Sequence, residues 1–106
     1  MAKVRIAVPD SAQKGDVIEI KTLISHPMES GFRRGVFGEV IPRNILKEFK
    51  CTYNGAEVFR AEFFPAVTAN PFLTFFTVAV ETGDLEFTWT DQHGAVTSEK
   101  RSITVT

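Results

Sequence analysis

The sequence predicts an all-β sandwich of about seven antiparallel strands, immunoglobulin-like in size and pattern. Three observations carry that expectation. Apolar residues alternate with period two along most of the chain, the spacing that turns one face of a strand inward and the other outward. Clusters of Gly, Pro, Asn and Asp break the alternation at the intervals expected of a sandwich. No segment shows the 3.6-residue period of an amphipathic helix.

The first strand is expected over Lys3 to Val8, where Val4, Ile6 and Val8 share a face against Lys3, Arg5 and Ala7. Pro9 to Gly15 is a polar turn-forming stretch. Asp16 to Ser25 alternates again, with Ile18, Ile20 and Ile24 opposed to Glu19 and Lys21. A strand from Ile45 to Tyr53 sets Phe49, Cys51 and Tyr53 on one face and runs into Asn54-Gly55. That dipeptide predicts a two-residue hairpin turn, because both central positions need positive φ. Ala56 to Phe64 therefore returns beside it, with Phe59, Ala61 and Phe63 sharing a face. Phe72 to Val80, Asp84 to Asp91 and Ala95 to Val105 complete the set, the last two joined by a turn at Gln92-His93-Gly94. Trp89 belongs to the core of such a sandwich.

At 106 residues the chain is expected to form one domain, residues 1–106, with a core large enough to fold without disulfides or metals. Twelve basic against thirteen acidic side chains leave a net charge of −1, which speaks against a nucleic-acid module or electrostatic membrane attachment. No apolar run approaches the ~20 residues of a membrane helix, and no signal peptide is visible at the N-terminus.

Candidate chemistry is sparse. Cys51 is the one possible nucleophile, but alternation places it on an apolar face, where burial disfavours the reactive thiolate. A small thiol enzyme would need His26 as its base, from a different segment. His26-Pro27-Met28-Glu29 holds conceivable ligands without a metal-binding spacing. His93 and the turn carboxylates Asp10, Asp16, Asp84 and Asp91 read as ordinary turn residues. Arg33-Arg34, with Arg43 nearby, is a surface charge group able to contact an anion. No metal or cofactor site is expected.

Two segments exceed what a plain sandwich needs. His26 to Asn44 is a 19-residue connection without strand or helix pattern, longer than structureless loops usually run. Gly31, Gly35 and Gly38 loosen it, while Phe32, Val36, Phe37 and Val40 make it more apolar than a solvated loop. Phe72 to Val80 is apolar on both faces, with Phe72, Phe76, Val78 and Val80 on one and Leu73, Phe75 and Ala79 on the other. A two-layer sandwich strand has one wet face, so a second apolar face predicts a protein partner. A crossover from Pro65 to Pro71, pinned by proline at both ends, leads into that strand.

Five segments, in order along nearly the whole chain, resemble the SoxZ family of the bacterial thiosulfate-oxidising system. They are Ser25-His26-Pro27-Met28-Glu29-Ser30-Gly31, Ile41-Pro42-Arg43, Phe49-Lys50-Cys51-Thr52, Ala69-Asn70-Pro71-Phe72 and Leu85-Glu86-Phe87-Thr88-Trp89-Thr90-Asp91. The resemblance implies a non-catalytic subunit that pairs with SoxY, itself an immunoglobulin-like domain. SoxY bears sulfur intermediates on a cysteine in a flexible, glycine-flanked C-terminal arm, and other Sox enzymes make transient contacts there. The chain ends Ile103-Thr104-Val105-Thr106 without such an arm, which matches the partner of the carrier and not the carrier. Periplasmic residence follows, by export with a signal-bearing partner. Phe32 to Val40 departs from the family by being more apolar. The partner-binding residues expected are His26, Met28, Phe37 and Arg43 in the long loop, with Phe72 and Phe75 on the two-faced strand. The alternative class is a generic immunoglobulin-like accessory or adhesion module.

Overall fold

In the computed structural model, which describes residues 3–64 and 67–106, eight strands form two packed sheets. The strands are β1 (Val4–Ala7), β2 (Ser11–Ala12), β3 (Val17–Ile24), β4 (Leu46–Tyr53), β5 (Ala56–Glu62), β6 (Phe72–Val78), β7 (Gly83–Asp91) and β8 (Val96–Val105). One sheet has the order β1-β3-β6 and the other β2-β8-β7-β4-β5. Every pairing is antiparallel except that of β2 with β8. The described residues contain no helix.

Seven strands fall where the period-two pattern puts them, shorter at some ends. The eighth, β2, lies within the stretch read as a turn. Its two residues run parallel to the end of β8, held there by the Thr104 N–H donating to the Asp10 carbonyl and the Thr106 N–H donating to the Ala12 carbonyl. A two-residue strand carries no detectable period. Pro65, the start of the expected crossover, lies outside the described residues.

The Asn54-Gly55 hairpin forms as expected, with φ of 48° and 86° at the two residues. Asn54 also ties this turn to the next connection, because its side-chain Oδ1 accepts the Asp84 N–H at 2.9 Å. The Tyr53 hydroxyl donates to the Glu81 carbonyl beside it.

The core forms where the inward faces meet. Trp89, Phe49, Phe87, Ile20, Leu85 and Ile103 are all but fully buried. Phe49 sits at the centre of an aromatic group, with ring centroids 5.0 Å from Trp89 and 5.8 Å from Phe75. Thr22 takes an inward position on β3 with its hydroxyl buried and unpartnered, a cost that a sheet of otherwise apolar inward residues tolerates.

The outward faces differ. On the five-stranded sheet the outer surface is polar, with Arg60 bridging Glu48 and Glu57, and Lys100 beside Glu86. On the three-stranded sheet the outer face becomes apolar towards β6, the last strand in its order.

Candidate functional site

The segment from Glu29 to Asn44 is an ordered arm, not a loose connection. Its root closes where Glu29 and Asn44 exchange both backbone hydrogen bonds at 2.8 Å. Further out, the Ile41 N–H donates to the Arg33 carbonyl at 2.9 Å and the Gly35 N–H to the Glu39 carbonyl at 2.8 Å. The Gly38 N–H turns back to the Gly35 carbonyl, and Gly38 has a φ of 80°. A tight turn followed by a left-handed residue is a common short hairpin closure. Gly35 and Gly38 therefore build the turn rather than loosen the segment, and Val36-Phe37 is its apex.

The root is anchored in the body at three places. Met28 is buried, in the left-handed region at φ 49°, with its sulfur 3.3 Å from the Leu46 nitrogen. His26 Nδ1 accepts the Met28 N–H at 3.0 Å, while the Asn70 side chain accepts the His26 N–H at 2.9 Å. The Asn70 N–H donates in turn to the His26 carbonyl at 2.7 Å. Gln92 clamps the other limb, accepting the Ile45 N–H and donating to the Arg43 carbonyl, both at 3.1 Å. Partial burial holds the His26 imidazole below its ordinary pKa, against the opposing charge of Asp91. Arg33 forks onto Glu29, and that hydrogen bond holds the Glu29 carboxyl below its usual range.

Among the described residues nothing packs on the arm's outer end. Phe32, Val36 and Phe37 are 86%, 94% and 93% exposed. The segment is therefore not a lid folded onto the sandwich, which would bury these side chains. The second exposed apolar group is on β6 and just past its end, where Phe72, Phe76 and Val78, followed by Val80, are exposed beside Val17, the cross-strand neighbour of Val78. The far edge of β6 has no strand against it among the described residues.

Of the six residues expected to bind a partner, the structure exposes Phe37, Arg43 and Phe72 and leaves His26 half-buried. Phe75 requires correction. Its ring is 4% exposed and stacks on Phe59 at 4.3 Å between centroids, so it is a core residue. Met28 is likewise unavailable to a partner and acts as the arm's anchor. Val17 and Val36 are surface residues outside that set. Val17 shares the outward face of β3 with Glu19 and Lys21, as the alternation around Ile18 and Ile20 implies, and the Gly35-Val36-Phe37-Gly38 spacing holds a turn signal.

Cys51 is sealed in the core, and burial pushes its thiol up to about 12. Its one hydrogen-bond contact among the described residues is the neighbouring Thr52 carbonyl. No His/Cys/Asp/Glu trio able to hold a metal occurs among the described residues.

The family model described as sulphur oxidation protein SoxZ matches residues 4–102. The chain belongs to the SoxZ family. Solved structures share this SoxZ chain's fold at low identity. A superoxide reductase (neelaredoxin) from Ignicoccus hospitalis superposes with a TM-score of 0.75 at 15% identity, covering 97% of this chain and 80% of the other. The sulfur carrier protein SoxY from Chlorobium limicola f thiosulfatophilum gives 0.68 at 15% identity, over 97% of this chain and 78% of that one. A putative superoxide reductase from Thermotoga maritima gives 0.72 at 17%, over 97% and 85%. No curated protein matches in sequence. At these identities the likeness shows a shared sandwich fold, and the sulfur-oxidation assignment rests on the family match.

Proposed function

We propose that this SoxZ-family chain is the non-catalytic half of a periplasmic sulfur-carrier pair. It binds SoxY one-to-one and helps present SoxY's sulfur-bearing cysteine arm to the other Sox enzymes. The carrying observation is the outward apolar row on β6, at a sheet edge with no neighbouring strand among the described residues. An open, apolar edge strand in a soluble domain invites pairing with another chain. The buried thiol of Cys51 supports a role without covalent chemistry of its own, since the thiolate is the nucleophile and burial suppresses it.

Co-expression with SoxY, followed by mass measurement of the eluting species, tests the reading. A one-to-one complex is expected, and Phe76→Asp should weaken it by placing a carboxylate in the apolar contact. Two chains that elute separately at micromolar concentration would refute the proposal. Detection of the pair in periplasmic rather than cytoplasmic extracts of the source cells tests the compartment.

A further inference from the structure

The β6 row alone is small for a permanent interface. Weighted by their exposures, its five outward side chains offer roughly 500 Å² of apolar surface, taking about 200 Å² for a phenylalanine and about 150 Å² for a valine. Obligate pairs bury ~2,000–5,000 Å² in total, about 65% of it apolar, or at least ~650 Å² of apolar surface per partner. On the same scale Phe32, Val36, Phe37 and Val40 of the arm add roughly 600 Å². Row and arm together reach the obligate range, and the row alone does not.

The arm's root and the head of the β6 row are tied together at one end of the molecule. Asn70, two residues before Phe72 at the head of the row, is hydrogen-bonded in both directions to His26, and His26 holds the Met28 anchor of the arm. From these observations we infer that the arm is a clasp on the same partner. A SoxY domain lying along β6 reaches the arm's root, and the Val36-Phe37 apex inserts into an apolar pocket of that domain. The inference rests on the pairing reading above and adds the second contact. Internal hydrogen bonding fixes the hairpin before contact, so little ordering remains to be done on binding. Arg34 and Arg43 lie at the tip and root, each without a carboxylate partner among the described residues, and are free to meet polar groups of the partner. Glu39, whose carboxylate turns back to accept the Phe37 N–H, sets a negative charge beside the apex and disfavours an anionic lipid surface as the occupant.

The purified complex with SoxY provides the test. Amide exchange over residues 32–40 should slow at least about tenfold relative to the isolated chain. Val36→Ser/Phe37→Ser should weaken pairing by ~30-fold or more. The isolated variant should melt like the parent, because neither side chain packs on the fold. Phe76→Asp serves as the control on pairing. Weakening by Phe76→Asp beside undiminished pairing of the arm variant overturns the clasp and leaves the pairing reading intact. Failure of the unsubstituted chain to bind SoxY overturns both. An arm variant that pairs normally but loses binding to phosphatidylglycerol vesicles assigns the tip to lipid and also overturns the clasp.

Discussion

Phe72 and Phe75 lie three residues apart on one strand and so face opposite ways. Phe75 is inward, opposite Ile20, with its ring against Phe59 and Phe49, while Phe72 stands outward beside Leu23. Phe75→Ala should cost about 3–5 kcal/mol, as large-to-small changes in packed cores do. Phe72→Ser should shift stability by less than about 0.5 kcal/mol. Urea denaturation of both variants checks the contrast, and equal losses would contradict it. Alternation separated these two faces in the sequence but did not say which was inward. Both are apolar, so only packing against β5 and β4 decides. Cys51 was the clearer case, with Phe49 and Tyr53 flanking it on a strand whose other face is charged. Because burial pushes its thiol up to about 12, a thiol reagent at pH 8 should label the native chain far more slowly than the urea-unfolded chain. Rapid native labelling would place the sulfur at the surface.

At the level of elements, the Asn54-Gly55 hairpin was legible because the backbone geometry is written into two residues. The arm was not, since its order comes from contacts that are distant in sequence: His26 with Asn70, and Arg43 and Ile45 with Gln92. The His26 anchor is sensitive to pH. Nδ1 accepts the Met28 N–H only when it carries no proton, and burial lowers the folded-state pKa below the ordinary value of 6.5. The unfolded chain therefore binds the proton first as pH falls. Stability from this anchor is complete above about pH 6.5 and declines as pH drops towards the lower folded value. Melting temperatures between about pH 5 and 8 should show that decline, and His26→Gln should flatten it relative to the parent. Parallel curves for the two proteins would remove the anchor from the account.

The whole molecule is long for its size. Its radius of gyration is 16.2 Å and its long axis 58 Å, where a compact chain of this length has about 13 Å. One broad surface is salt-bridged and wet, while β6 and the arm hold most of the exposed large apolar side chains. The isolated chain should therefore self-associate as concentration rises. Phe76→Lys, an edge lysine of the kind that blocks strand pairing, should shift it towards monomer in sedimentation without altering its circular dichroism. A chain that stays monomeric at high concentration would show that the row is not adhesive.

Chain order also imposes an order of folding. The polar-faced sheet is built from β4-β5 and β7-β8, each pair joined by a short turn, whereas β3 waits for β6, with Ile20 meeting Phe75 across the chain. Closing a loop of that length costs more entropy than closing a hairpin, and non-local pairings form late. The sheet that carries the apolar row is then the last to close, and a partner that captures β6 acts on the final step of folding as well as on the finished surface. Pulse-labelled hydrogen exchange during refolding should protect the amides of Phe87 and Trp89 before those of Ile20 and Phe75. Adding SoxY should hasten only the later phase.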